Sequence, residues 1–147
     1  MAYKGTYLIT KPEKYNGDPN KVIFRSLWER AAFRFCEASD KVVRWNSEDV
    51  VIPYICQTDK KPHRYHIDLC IEWADGTTVL IEIKPASQTK PPKVPKRKTK
   101  NYIAECMAYA KNESKWKAAN QFAKKHNVKF QVWTEVTLRS YGIKILK

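Results

Sequence analysis

Asp68, Glu82 and Lys84 are the residues of this chain whose types and spacing could do chemistry. Asp68 sits in an alternating run at 65–73, and Glu82 and Lys84 sit in a second one at 77–84. Asp75-Gly76 between them is a hairpin signal. Loop length sets the register. A two-residue loop would put Asp68 opposite Ile83 and mix apolar with polar side chains on both faces. A three-residue loop, Ala74-Asp75-Gly76 with Gly76 left-handed, pairs Ile67 with Ile83, Leu69 with Ile81 and Ile71 with Val79, leaving one face wholly aliphatic. Asp68 then stands opposite Glu82, Cys70 opposite Leu80 and His66 opposite Lys84.

Two carboxylates on directly opposed residues have Cβ atoms roughly 5 Å apart. They repel, and their pKa values rise unless a cation sits between them. A hard divalent ion with oxygen ligands, Mg²⁺ or Mn²⁺, is the natural occupant. Lys84, two residues from Glu82 and on the same face, could orient a water or steady an anionic phosphorus centre. A solvent-facing Glu-Lys-Asp patch is the plain alternative, and the apolar company of Cys70, Leu80 and Ile83 argues for a partly buried setting. His66 reads either as a proton shuttle or as a structural hydrogen-bonder.

These residues must be positioned by the rest of the chain. Ser26-Leu27-Trp28-Glu29 fits a capping box at the start of a helix over 27–38, with Trp28, Ala31, Ala32 and Phe35 on one stripe. Val42 to Trp45 and Val50 to Ile55 read as strands, the second at an edge or interrupted because of Pro53. Gln57 to Arg64 reads as a polar loop. Residues 85–100 hold Lys90, Lys93, Lys96, Arg97, Lys98 and Lys100 among four prolines, an extended mobile strap beside Lys84 that either contacts phosphates or is a solvated linker. A helix follows over 99–111 with Ile103, Met107 and Ala110 inward, then a second capped near Asn112 with Trp116, Ala119, Phe122 and Ala123 inward. The strand 128–133 and a short helix 135–141, capped by Thr134 and closed by Gly142, complete one domain whose residues 1–20 form an arm lying over it. The expected class is α/β, a sandwich with a mixed sheet of about four to five strands flanked by helices.

The 28 basic and 15 acidic residues leave a net charge of +13, which points to a polyanionic partner such as DNA. No apolar run approaches the ~18 residues of a membrane span. The N-terminus lacks a signal-peptide pattern, so a cytoplasmic protein is expected. Cys36, Cys56, Cys70 and Cys106 show no C-x-x-C spacing and no clustered His, and read as reduced thiols.

Asp68 followed by Glu82-Ile83-Lys84 on the next strand resembles the core of PD-(D/E)XK nucleases, with Ile67 where the family name has Pro. Phe24-Arg25-Ser26-x-x-Glu29 is similar to the first-helix motif of the branch that includes the endonuclease subunit of Tn-seven-like transposons. The chain as a whole is similar to the head completion nucleases of T-even-like myophages. That likeness lies in Tyr15-x-Gly-Asp-Pro19, Arg25-Ser26-x-Trp28-Glu29, Val51-Ile52-Pro53-Tyr54, Arg64-Tyr65-x-x-Asp68, Ile81-Glu82-Ile83-Lys84-Pro85, Trp116-Lys117-Ala118-Ala119 and Thr134-Glu135. The resemblance implies a restriction-endonuclease-like fold and a Mg²⁺-dependent DNA endonuclease acting after packaging, in the host cytoplasm or with the virion. Portal, neck or other head completion proteins would be further partners. Catalysis would fall to Asp68, Glu82 and Lys84, and metal binding to Asp68, Glu82, the Ile83 carbonyl and Glu29, the last being otherwise only a helix cap. DNA contacts would come from Arg25, Arg64, the strap cations and Lys117. A structural head completion protein with a vestigial nuclease fold, and a transposase- or resolvase-type cellular endonuclease, are the alternatives.

Overall fold

In the computed structural model, which describes residues 4–145, the chain runs β1 (Gly5–Thr6), β2 (Ile23–Phe24), α1 (Leu27–Ala38), β3 (Val42–Asn46), β4 (Val51–Ile55), β5 (Pro62–His66), β6 (Leu69–Trp73), β7 (Thr78–Ile83), α2 (Lys100–His126), β8 (Lys129–Trp133) and α3 (Glu135–Ser140). The central sheet has the order β3-β6-β7-β8. β6 is antiparallel to β3 and β7, and β7 is parallel to β8, the connection that a crossover helix such as α2 permits. This is the expected α/β arrangement with a mixed four-stranded sheet. β1–β2 and β4–β5 form separate two-stranded sheets.

The β6–β7 register is the expected one, with Leu69 opposite Ile81, Cys70 opposite Leu80 and Ile71 opposite Val79. Gly76 has φ +89°, as the three-residue loop requires. The alternation sends Leu69, Ile71, Val79 and Ile81 into a core shared with Ala32, Phe33 and Cys36 of α1 and with Trp45 and Trp133. Cys70 and Leu80 point the other way, into a second core with Ala119 of α2 and Ile52, Tyr54 and Tyr65 of β4–β5. Each such aliphatic side chain, fully buried, contributes about 1.5–3 kcal/mol, so a slip of one residue in β7 would be strongly disfavoured.

Several expectations need correction. The first arm of the hairpin is not continuous: 62–66 belongs to β5, paired with β4, and only 69–73 pairs with β7. Ile67 accordingly packs in the α2-side core instead of beside Ile83. His66 stands opposite Val51, not Lys84, and Gln57 to Arg64 is half strand, since β5 begins at Pro62. Of the two expectations for β4, the edge strand is the one found: it runs through Pro53 without interruption, because its one partner strand leaves the other edge free of ladder bonds.

The remaining corrections concern the strap and the helix after it. The strap makes a 3-10 turn over Ala86–Thr89, and Lys100 already belongs to α2. The two expected helices are one, of 27 residues. The Asn112-Glu113-Ser114 cap signal is overridden because the Ser114 hydroxyl donates to the Ala110 carbonyl at 3.2 Å and accepts the Gln57 N–H at 3.2 Å. Gln57 also donates its side-chain amide to the Ala110 carbonyl at 2.8 Å. The first half of α2 passes beyond the sheet, which leaves Ile103 and Met107 exposed at 56% and 51% instead of inward.

Within the described part of the expected arm, Tyr7 is buried, and its hydroxyl donates to Glu37 of α1 at 2.6 Å. Asn127, left-handed at φ 57°, ends α2, and Thr134 caps α3 as expected. Continuity of α2 can be tested with Glu113→Pro. In a single helix this removes an interior hydrogen bond and should cost about 3 kcal/mol or more, read as a lowered urea midpoint. A helix starting at Asn112 would accept proline at its first position without loss.

Candidate active site

The break between β5 and β6 builds the site. In a continued ladder the N–H of Ile83 would meet the carbonyl of Ile67. That carbonyl instead accepts the Glu48 N–H at 2.9 Å, and the Ile67 N–H donates to the Val50 carbonyl at 3.0 Å. The vacated place is taken by the Asp68 side chain, whose Oδ2 accepts the Ile83 N–H at 2.9 Å. The same diversion deprives the Ile83 carbonyl of its ladder donor. Asp68 is thus not a strand residue facing Glu82 but a carboxylate held by backbone at the end of the hairpin.

Glu82 lies beside it in β7, only 4% exposed, on the α2 side of the sheet. Trp116 of α2 donates its indole N–H to Glu82 Oε2. Glu29 enters from the other side, in the first turn of α1, 9% exposed. The Ser26 hydroxyl accepts the Glu29 N–H at 3.1 Å. The Glu29 carboxylate, however, accepts the backbone N–H of Arg25 and so returns to a residue before the cap. Lys84 leaves β7 half-buried, its N–H held by the Trp133 carbonyl at 3.0 Å.

Burial and mutual repulsion dominate the electrostatics. Desolvation pushes the Asp68 carboxyl well above its usual range, the Glu82 charge pushes it further, and the Ile83 N–H, with Lys84, opposes both. Burial raises Glu29 to about 7. The Tyr65 phenol is pushed far up by burial and then by Glu82 and Asp68, and its buried hydroxyl has no hydrogen bond of normal geometry. Asp68 and Glu29, which resist ionisation, and the buried Glu82 beside them fit a divalent cation with its bound water: the cation would neutralise the acids, and the water could satisfy the buried Tyr65 phenol. The acids do not crowd to within 4.8 Å of one another as a trio. That spacing occurs among the described residues only for Cys56, Asp59 and His63, in the connection between β4 and β5. No cysteine is expected to have a clustered histidine, and the β4–β5 turn corrects this by bringing His63 to Cys56. Its atoms are already partnered, His63 Nε2 with Asp59 Oδ2 at 2.8 Å and Cys56 Sγ with Thr58 Oγ1 at 3.0 Å.

The expected DNA contacts are spread unevenly. Arg25 forms an ion pair with Glu48 and lines a cavity of about 350 Å³ with Tyr15, Asp49 and His66. Arg64 on β5, Lys117 on α2 and the strap cations Lys90, Lys93, Lys96, Arg97 and Lys98 are exposed, as is Lys100. Tyr65, Lys115 and the indole contact of Trp116 were missed by sequence reasoning. The inward stripe of α2 signalled Trp116 as a core residue, and nothing in the pattern gave it a carboxylate partner.

The raised acids set a pH dependence for the metal-free protein. The folded value of Glu29 lies above its ordinary 4.5, so protonation stabilises the fold. That stability is complete below the ordinary value and is lost as pH rises through about 7; Asp68 contributes with the same sign. In EDTA the urea midpoint should fall between about pH 5 and pH 8. Glu29→Gln should flatten part of that fall, and Mg²⁺ should raise the midpoint at the upper end.

Residues 39–135 match the family model for the TnsA-like endonuclease N-terminal domain. The chain is also similar to the head completion nuclease of Enterobacteria phage T4, 38% identical over 148 residues that cover 98% of this chain and 99% of the relative. No solved structure gives a significant match. The matched span includes Asp68, Glu82 and Lys84, and the mixed sheet with its flanking helices is consistent with a restriction-endonuclease-like fold; the chain belongs to the TnsA-like endonuclease family of PD-(D/E)XK-type nucleases.

Proposed function

We propose that the protein is a metal-dependent DNA endonuclease that acts on the packaged phage head, in the host cytoplasm and on the virion. The observation that carries the chemistry is the pairing of Asp68, bound to the Ile83 N–H, with the buried Glu82 next to it. The phage role rests on the name of the relative aligned end to end.

Asp68, Glu82 and the Ile83 carbonyl are the groups that would hold Mg²⁺ or Mn²⁺, with Glu29 as a further ligand across the sheet end. The ion, when bound, lowers the pKa of a coordinated water and polarises the scissile phosphate. Trp116 fixes the Glu82 carboxylate through its indole N–H, which leaves the other oxygen for the ion. The Ile83 N–H does the same for Asp68. Lys84 orients the attacking water or steadies the charge developing on phosphorus. His66 stands opposite Val51 of β4, not Lys84. Arg64, Lys117 and the strap carry the backbone phosphates of flanking DNA, and Arg25 adds its charge once its pairing with Glu48 is exchanged for a phosphate. Portal or neck proteins are further partners of the finished particle.

Purified protein with plasmid and Mg²⁺ or Mn²⁺ should nick or cut it. Asp68→Asn and Glu82→Gln keep the hydrogen bonds to Ile83 and Trp116 while removing a charge, so both should fold normally and lose cleavage. Cutting at the wild-type rate by either, with contaminating nuclease excluded, would refute the metal-site assignment. Lys84→Ala should slow the rate by about two orders of magnitude or more with DNA affinity little changed.

The strap makes a separate claim. Each neutralised phosphate adds about 0.9 to the slope of log affinity against log salt. Replacing Lys96, Arg97, Lys98 and Lys100 with Ser should flatten that slope by about 3.6 units if all four engage duplex DNA. An unchanged slope, with failure only in particle assembly, would assign the strap to a protein partner instead.

A further inference from the structure

α2 brings to the acids a cation that the mechanism above does not use. Lys115 is half-buried, with Nζ 5.3 Å over the ring of Tyr65, the residue whose hydroxyl is orphaned beside Glu82 and Asp68. Its sequence neighbour Trp116 is tied to Glu82, so the helix is pinned at the site and Lys115 cannot drift from it. The ammonium lies within Coulombic reach of Glu82 and Asp68, which favour its charge, and of Lys84 and Lys111, which oppose it. Yet it forms no ion pair with any described residue.

That combination is uncommon for a lysine serving only the fold. A structural lysine near buried acids closes onto one of them, and an idle one keeps its head in water. An aromatic face holds the ammonium in place for about 0.5–2 kcal/mol but offers no counter-charge. Lys84 reaches the acids from β7 and Lys115 from α2, with Glu82 held between these two elements. An anion resting on the acid-bound metal would meet both ammonium groups.

We propose that Lys115 is a substrate-contacting residue of this active site, its ammonium meeting a non-bridging oxygen of the scissile phosphodiester from the α2 side while Lys84 serves from β7. The inference rests on the nuclease reading. It adds a second fixed positive charge where negative charge accumulates in the transition state. Tyr65 is then the platform, Trp116 the tie and Lys115 the contact.

The test compares Lys115→Met, which keeps the stem on Tyr65 and removes the charge, with Lys115→Arg and with Lys125→Met, an exposed position at the far end of α2. Single-turnover cleavage of a duplex oligonucleotide in Mg²⁺ should fall by about 10–100-fold in Lys115→Met, recover in large part in Lys115→Arg and stay unchanged in Lys125→Met. Each enzyme is also given substrates with sulfur at one or the other non-bridging oxygen of the scissile phosphate. For one diastereomer, the ratio of oxygen to sulfur rates should shrink in Lys115→Met relative to wild type, because the weakened contact is already gone. The ratio is taken within one variant, so partial unfolding cancels. A Lys115→Met rate within threefold of wild type, or an oxygen-to-sulfur ratio unchanged from wild type for both diastereomers, overturns the inference. If wild type cuts and Glu82→Gln does not while Lys115→Met is normal, only Lys115 is misassigned. If wild type itself fails to cut with Mg²⁺ or Mn²⁺, the nuclease reading falls and takes this inference with it.

Discussion

Buried carboxylates gathered at one end of a sheet are the constraint on which the rest of the structure depends. Burying like charges is expensive, and neither Asp68 nor Glu82 is relieved by an ion pair among the described residues. Each acid is instead held by a neutral donor: Ile83 N–H for Asp68, the Trp116 indole for Glu82 and Arg25 N–H for Glu29. Neutral donors fix direction without supplying countercharge, so the negative field stays available for a cation. A lysine bonded directly to each acid would stabilise the empty protein better and leave the ion less to bind.

The sheet makes this affordable by placing the acids between two independent cores. Ile81 and Ile83 anchor β7 on the α1 side, Leu80 anchors it on the α2 side, and Glu82 emerges where the second core thins toward the strand end. Glu29 arrives with the helix that the first core holds, and Trp116 and Lys115 with the helix that the second core holds. The two layers meet at the acids. The break before β6 is what permits it: an unbroken strand would have used the Ile83 N–H and carbonyl in the ladder and left Asp68 on a pleat with no backbone partner.

Charge is sorted by depth in the same way. The buried charged side chains among the described residues are acids, Glu29, Glu37 and Glu82, two of them in the site, while the surplus behind the +13 net charge lies mostly in exposed cations, five of them in the part of the strap between Lys90 and Lys98. Such a surface draws DNA by counterion release and long-range attraction, neither of which requires a folded strap. In the proposed function the interior acids act only at short range, on the one phosphate that would reach the metal.

How much of this was legible in the chain follows from the range of each signal. The register of β6 and β7 was fixed by local alternation and by Asp75-Gly76, and the start of α1 by Ser26. Asp68, Glu82 and Lys84 could therefore be singled out as a group from sequence, and the family likeness agreed. The strand break at Ile67-Asp68 was not legible, because 65–73 alternates as one strand and only the competition of Val50 and Glu48 for the backbone of Ile67 interrupts it. The continuity of α2 was hidden for the same reason: Asn112-Glu113-Ser114 is a good local cap, and Gln57, far away in sequence, overrules it. Trp116 as the tie on Glu82 and Lys115 on Tyr65 depend on α2 crossing the end of β7. A side chain's type and spacing tell which face it occupies, but which partner waits across that face is decided by packing between segments whose separation in sequence carries no pattern.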